Sequence, residues 1–300
     1  MKKVTLLIAF FICLTSACSA NGSAPGEKKG NASADDNKGN KTTIQQMDTI
    51  NNSGTLVDIK TSLGDIRVLL YDGTPKHRDN FIKLVNEGFY EGTLFHRVIN
   101  KFMIQAGDPD SKGASAGKAL GSGGPGYQID AEIIYPTYYH KRGALAAARQ
   151  GDQVNPQRKS SGSQFYIVTG DVVPAAQLSQ LEAHVANKQM QTIFNGLVQA
   201  RMAEIQRMQA AGDQAGLQAL QNELVALTEA EYAKNPVAIT EEMRNAYTTV
   251  GGTPHLDNDY TVFGEVVSGM DVVAKIENVK TGAMDRPVED VKIISMTIVK

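Results

Sequence analysis

Short runs of alternating apolar residues, separated by turns, constrain this chain more than any other feature of its sequence. In TLVDIKTSLGDIRVLLY, residues 55–71, apolar residues alternate on both sides of a turn at residues 62–65. The alternating residues are Val57, Ile59, Ile66, Val68 and Leu70. Successive side chains of a strand point to opposite faces, so this segment predicts a β-hairpin.

Six further short strands are predicted along the chain, together with two helices. The strand segments are LFHRVI, FMIQAGD, GALAAAR, SQFYIVTG, YTVFGEVV and VKIISMTIVK, which begin at residues 94, 102, 143, 163, 260 and 291. One helix is predicted to begin at Thr74 and Pro75 and to stop at Gly88, and residues 270–279 indicate a second. The pattern predicts a mainly β fold, a closed antiparallel barrel of eight strands capped by two helices.

The interval from residue 172 to residue 250 differs from the rest because Ala, Gln, Leu, Met and Glu, which favour helices, dominate it. Spacings of three, four and three residues, typical of a helix packed on a helix, separate Leu217, Leu220, Leu224 and Leu227. Residues 211–213 predict a turn between two helices. This helical insertion is either a self-packed hairpin that decorates the barrel or an arm that binds a partner.

One predicted strand pair carries polar residues among apolar ones. In FHRVINKFMIQAGD, residues 95–108, Arg97 lies two residues after Phe95, and Gln105 lies two residues after Met103. On a strand, the two members of each pair share a face. An unpaired arginine against an apolar surface is costly. Arg97 is therefore either a functional, hydrogen-bonded residue or a snorkelling arginine on a wet face.

Composition and motifs argue against several classes of function. The chain has 42% hydrophobic and 21% charged residues and a formal net charge of −2, which gives no electrostatic reason to expect nucleic acid. The five histidines lack the spacing of metal ligands, and no G-x-S-x-G motif is present. GSGGPG, residues 121–126, lacks the lysine and the following helix of a phosphate loop. We expect no cofactor, no metal and no nucleic-acid partner.

The N-terminal segment reads as a targeting signal. A short basic region precedes the apolar run VTLLIAFFICL, residues 4–14, and LTSAC, ending at Cys18, resembles the lipobox of bacterial lipoproteins. The resemblance implies lipidation of Cys18, a lipid anchor in a membrane and a place in the bacterial cell envelope, facing the periplasm; ordinary cleavage after Ala20 is the alternative. The predicted parts are a signal peptide (1–17), a flexible tether (18–52), the barrel (53–171 and 251–300) and the helical insertion (172–250).

Several ordered motifs together resemble the cyclophilin-type peptidyl-prolyl cis/trans isomerases. The core signature of that family is Phe-His-Arg, a short spacer and Phe-Met-x-Gln-x-Gly-Asp, and residues 95–108 follow it. Four later segments resemble the family in the same order: GSGGPGYQIDAE, RGALAAAR, SGSQFYIV and HLDNDYTVFGEVVSGMDVV. The resemblance covers residues 55–170 and 251–300, and the tether and the helical insertion lie outside it.

The resemblance implies an activity and a set of site residues. The chain is expected to be a peptidyl-prolyl cis/trans isomerase that acts on proline-containing unfolded or extended polypeptides and assists protein folding in the envelope. Arg97 matches the catalytic arginine, and Gln105 matches the glutamine that hydrogen-bonds it. The implied substrate-binding residues are Phe102, Met103, Ala148, Arg149, Gln164, Tyr166, His255, Leu256 and Tyr260.

Three of these positions depart from the family pattern. Tyr166 replaces the usual phenylalanine, His255 stands where well-known eukaryotic members carry a tryptophan linked to cyclosporin binding, and Tyr260 stands where they carry a histidine. An alternative function is a non-catalytic, cyclophilin-shaped module that binds client proteins through the helical insertion. The retention of Arg97 and Gln105 favours the enzyme.

Overall fold

The structure is a computed structural model that describes residues 54–236 and 238–299. The predicted signal peptide, Cys18 and the predicted tether lie outside these residues. The strands are β1 (Gly54–Thr61), β2 (Gly64–Tyr71), β3 (Arg97–Ile99), β4 (Met103–Ala106), β5 (Gln128–Ile129), β6 (Ala144–Ala147), β7 (Ser160–Ser161), β8 (Phe165–Val168), β9 (Val262–Ser268) and β10 (Ile293–Ile298). The helices are α1 (Pro75–Asn86), α2 (Ala175–Ala200), α3 (Met202–Ala211), α4 (Gln214–Lys234), α5 (Glu241–Thr249) and α6 (Met270–Glu277).

Eight of the strands form one curled antiparallel sheet, in the order β10-β1-β2-β9-β6-β8-β4-β3. The mainly β fold is confirmed, but the sheet is a half-barrel, so the predicted closed barrel is wrong. The two edge strands do not pair with each other along a ladder. Instead, the chain just before β3 meets the start of β10, with a hydrogen bond of 2.9 Å from Phe95 N to Val291 O and an isolated bridge between Leu94 and Lys292. Because β3 is only three residues long, it offers little edge for closure.

The two faces of the sheet pack against different partners. The concave face holds the inner cluster, in which Val57, Ile104 and Leu145 are fully buried. Helices α1 and α6 cover this cluster with Phe81, Leu84, Val272 and Ile276, which confirms the prediction of two capping helices. The opposite face carries a second, outer cluster that includes Met103, Tyr166 and Val262.

The start of α1 is held by a residue far away in sequence. Thr74 occupies the predicted N-cap position, but the backbone N–H groups of Lys76 and His77 donate to the carboxylate of Glu132, both at 3.0 Å. A distant carboxylate thus accepts from the backbone N–H groups that an N-cap side chain usually satisfies. Its negative charge also interacts favourably with the positive N-terminal end of the helix dipole.

Four α-helices lie between β8 and β9 in the described part of the chain. The predicted turn is confirmed, since Gly212 has a φ of 68° and the side chain of Asp213 accepts from Gly216 N at 2.8 Å. Leu220 and Leu224 are buried as predicted. The prediction for Leu227 is wrong, because Leu227 is 41% exposed and Thr228 is buried instead. A period of 3.6 residues places position 228 closer than position 227 to the stripe through Leu224.

The insertion has two parts that differ in how they are held. The helical root, residues 175–189 and 238–249, packs Leu178, Met243 and Tyr247 against Tyr139. The outer bundle, residues 190–234, forms a smaller apolar seam among α2, α3 and α4. Among the described residues, no helix combines the length and the apolar character that a membrane span requires.

Candidate active site

A cleft of about 810 Å³ opens beside the outer cluster, next to β3, β4 and β8. Nine of the eleven predicted catalytic and substrate-binding residues line it: Arg97, Phe102, Met103, Gln105, Ala148, Arg149, Tyr166, Leu256 and Tyr260. The other two contact residues that line it. Gln164 hydrogen-bonds to Gln105, and the ring of His255 stacks on that of Phe102 with 5.6 Å between their centroids.

Arg97 and Gln105 are direct cross-strand partners on β3 and β4, which brings their side chains to the same face. Their hydrogen bonds run to other residues, however. Arg97 donates from Nε to Asp285 at 3.3 Å, and Gln105 donates from Nε2 to Gln164 at 2.9 Å. The implied hydrogen bond between Gln105 and Arg97 is replaced by these two contacts in the structure.

The environment of Arg97 differs from that of its sequence neighbours. Its side chain is 42% exposed, whereas Phe95 is fully buried in the inner cluster beside Val98. The prediction that Phe95 and Arg97 share a face is wrong, because β3 begins only at Arg97 and the alternation does not extend back to Phe95. Met103 and Gln105 do lie on the cleft side of β4, as predicted.

Phe102, Met103 and Leu256 provide the apolar part of the cleft and belong to the outer cluster. His255, which is stacked on Phe102, extends this surface. Burial lowers the pKa of His255, and the nearby His140 adds to the effect. The imidazole is therefore neutral at neutral pH, as suits a ring packed on an aromatic side chain.

Two tyrosines shape another part of the cleft. Tyr166 is 5% exposed, and its hydroxyl lies 2.9 Å from Nε2 of His140. Burial raises the pKa of Tyr166 well above its ordinary value, so the phenol stays protonated. The ring of Tyr260 meets that of Tyr166 edge-on at 6.0 Å, and the guanidinium of Arg149 lies 4.5 Å from the Tyr260 ring centre.

Gln164 links β8 to the glycine-rich loop. Its Nε2 donates to the carbonyls of Gly121 and Gly123 at 3.0 and 2.7 Å, while its Oε1 accepts from Gln105. The loop that carries Gly121 lines the cleft. Gln164 therefore orients a wall of the cleft.

Sequence reasoning missed the wall formed by residues 282–288. It contains Asp285, which pairs with Arg97, and Met284, which is 64% exposed. Arg286 anchors this wall by donating to the carbonyls of Ser115 and Ala114 at 2.8 and 3.1 Å. The signal available in the sequence was weak: a glycine and a proline flank a loop, which predicts a turn but no partner.

Other chemistries find less support in the described residues. No group of three or more His, Cys, Asp or Glu residues there could hold a metal ion. His77 lies 2.7 Å from Glu132 and 2.9 Å from the hydroxyl of Ser160, the order of contacts in a hydrolase triad. Ser160 is only 1% exposed, so a substrate would not reach it. These contacts satisfy buried polar groups and hold the start of α1.

Comparison with known proteins bears on this geometry directly. The family model described as "Cyclophilin type peptidyl-prolyl cis-trans isomerase/CLD" matches residues 56–232 and 233–298. The chain belongs to this family of isomerases. This cyclophilin is 31% identical over 261 residues to a Staphylococcus saprophyticus protein named "Putative peptidyl-prolyl cis-trans isomerase", and the match covers 86% of this chain and 100% of that protein.

Two other similar proteins extend the comparison. A Streptococcus pyogenes protein named "Putative bifunctional phosphatase/peptidyl-prolyl cis-trans isomerase" is 32% identical over 260 residues; the match covers 84% of the cyclophilin but only 40% of that protein. A crystal structure of a Cryptosporidium parvum cyclophilin type isomerase is 20% identical, with a TM-score of 0.48, over 83% of this chain and 99% of that one. The sequence matches carry the family assignment.

Proposed function

We propose that this cyclophilin accelerates rotation about X-Pro bonds in unfolded or extended polypeptides, with Arg97 as its catalytic residue and Phe102, Met103 and Leu256 as the pocket for the proline ring. The observation that carries the proposal is the placement of a half-exposed guanidinium and an apolar surface in one cleft. The guanidinium can donate hydrogen bonds to a substrate, and the apolar surface can bind the proline ring.

The chemistry needs neither a nucleophile nor a metal. Partial double-bond character gives the amide a rotational barrier of about 18–20 kcal/mol. In the twisted transition state the proline nitrogen recovers a basic lone pair. A donor aimed at that nitrogen stabilises the twisted form more than the planar one and so lowers the barrier.

Arg97 suits this role because it stays charged and presents a rigid fork of donors. Its ion pair with Asp285 runs through Nε, so the two terminal nitrogens can turn toward a bound amide. The hydrogen bonds from Gln105 to Gln164 and from Gln164 to Gly121 hold β4 and the glycine-rich loop together next to Arg97. We assign Gln105 a positioning role through Gln164 in the substrate-free protein.

Replacement of Arg97 tests the catalytic assignment. We expect Arg97→Ala to lower kcat/KM on a proline peptide by roughly 100-fold, the cost of removing one oriented donor. Arg67→Ala is the matched control, because Arg67 is an exposed arginine whose ion pair with Asp58 lies in the β1–β2 hairpin. Equal rates for wild type and Arg97→Ala would refute the assignment.

We also propose that acylated Cys18 anchors the protein in the bacterial envelope, where it assists the folding of proline-containing clients. The basis is the lipobox-like LTSAC sequence, since two or more acyl chains anchor stably whereas one anchors only marginally. Cys18→Ser expressed in the native host should leave the membrane fraction, while Cys13→Ser should remain there. Membrane-bound Cys18→Ser would contradict lipidation at this residue.

A further inference from the structure

The phenolic hydroxyl of Tyr166 is an unusual group for the wall of an apolar pocket. Tyr166 packs among Met103, Val168 and Val262, and an unpartnered hydroxyl buried there would cost about 1–3 kcal/mol. The hydroxyl instead reaches His140, which is 1% exposed, on the side away from the cleft. The ring thus faces the cleft, and its polar end is held inside the protein.

From His140 the contacts continue toward the helical insertion. Nδ1 of His140 lies 2.9 Å from Oδ1 of Asp257, and the backbone N–H of His140 donates to the same oxygen at 2.8 Å. The second carboxylate oxygen accepts from the hydroxyl of Tyr247 at 2.5 Å. Tyr247, Asp257, His140 and Tyr166 therefore form one buried chain of hydrogen bonds, which we name the tyrosine–histidine chain.

The far end of this chain belongs to α5, part of the helical root. Tyr247 is fully buried, and its ring meets that of Tyr139 edge-on at 5.6 Å. The backbone fits equally closely there: Gly252 has a φ of 149°, and a Cβ at that position would lie 2.3 Å from the carbonyl oxygen of His140 and 2.7 Å from the Tyr247 ring. The root can therefore shift little without moving His140.

The donors and acceptors of the chain match. Burial raises the pKa of both Tyr247 and Tyr166 well above the ordinary value, so each phenol keeps its proton and can donate. The tautomer that carries its proton on Nδ1 lets His140 donate to Asp257 and accept from Tyr166 at Nε2. Tyr260 packs edge-on against the rings of both His140 and Tyr166, at 6.3 and 6.0 Å, so it shares their placement.

We propose that Tyr247, Asp257 and His140 are positioning residues that fix the Tyr166 ring, so that helix α5 of the insertion sets the shape of the proline pocket. This inference rests on the proposed function. It makes the root of the insertion part of the isomerase machinery, and the family match over residues 56–232 and 233–298 includes this root.

The test compares Tyr247→Phe with Tyr139→Phe in the full chain. Both remove one hydroxyl from the same cluster, but the hydroxyl of Tyr139 contacts Glu242 and lies outside the tyrosine–histidine chain. We expect Tyr247→Phe to lower kcat/KM on a proline peptide by roughly three- to tenfold and Tyr139→Phe to leave it unchanged. The carbon-13 methyl signal of Met103, which shares the outer cluster with Tyr166, should move in Tyr247→Phe alone.

A double variant separates positioning from general destabilisation. Tyr166→Phe removes the hydroxyl on which the chain ends, so adding Tyr247→Phe to it should cause no further loss of kcat/KM. An equal loss in both backgrounds would overturn the proposal, as would a Tyr247→Phe variant that unfolds more easily but keeps kcat/KM and the Met103 signal.

Failure of the proposed function would look different. Wild type no faster than Arg97→Ala would end the isomerase assignment, while the Met103 signal would still report whether Tyr247 positions Tyr166. Normal wild-type activity, together with no response to Tyr247→Phe in rate or signal, would overturn the positioning chain alone.

Discussion

The half-barrel and the outer bundle bury their apolar side chains very differently. The inner cluster holds 24 buried residues from strands, helices and loops across the sheet. In the outer bundle only Met190, Phe194, Ile205, Leu220, Leu224 and Thr228 are buried. The cleft therefore stands on a densely packed support, while the outer bundle is a thin assembly joined to it through the helical root. A segment of the insertion can still contact residues of the site, since α5 lies within the insertion and contributes Tyr247 to the tyrosine–histidine chain.

Core truncation is expected to give the largest effect and to show this difference in stability. Leu145 is fully buried on β6, so Leu145→Ala should lower the free energy of unfolding by about 2–5 kcal/mol. Leu224→Ala should cost less, because the outer bundle can open without the sheet. Leu227→Ala, at an exposed position, should change it by less than about 0.5 kcal/mol. Chemical denaturation measures all three changes, and equal losses of stability at positions 145 and 224 would show that the two regions are equally well packed.

A smaller effect of pH should also arise from the half-barrel. Burial lowers the pKa of His96 and of His77 from the ordinary value of 6.5. The unfolded chain then binds more protons than the folded one below pH 6.5, so stability is present at pH 7 and is lost as the pH falls toward the lowered values. One such group contributes at most about 1.4 kcal/mol per pH unit.

Unfolding at pH 5, 6 and 7 measures this slope. His96→Gln should flatten it, and His184→Gln should leave it unchanged, because His184 is exposed on α2. A slope of opposite sign in the wild type, or an equal response of both variants, would contradict the account.

Local patterns in the sequence predicted the sheet strands and the two capping helices, while the family resemblance supplied nine of the residues that line the cleft. Strand alternation and cross-strand spacing fix which residues are neighbours, as for Arg97 and Gln105. They do not fix which polar groups finally pair. The contacts of Arg97 with Asp285 and of Tyr166 with His140 join residues that only tertiary folding brings together. Barrel closure was mispredicted for a related reason. Closure depends on the length and direction of the edge strand β3, which no local sequence signal specifies.

We expect isomerisation to depend on the cleft and not on the outer bundle. Residues 190–234 can be replaced by a short Gly/Ser linker, because Nε2 of Gln189 donates to the carbonyl of Asn235 at 2.9 Å and the cut ends are neighbours. The direct measurement is the exchange rate of a proline peptide by NMR with the wild type, the truncated chain and the truncated chain carrying Arg97→Ala. We expect equal acceleration by the first two proteins and roughly 100-fold less by the third. A folded truncated chain without acceleration, or one that Arg97→Ala leaves fully active, would contradict it.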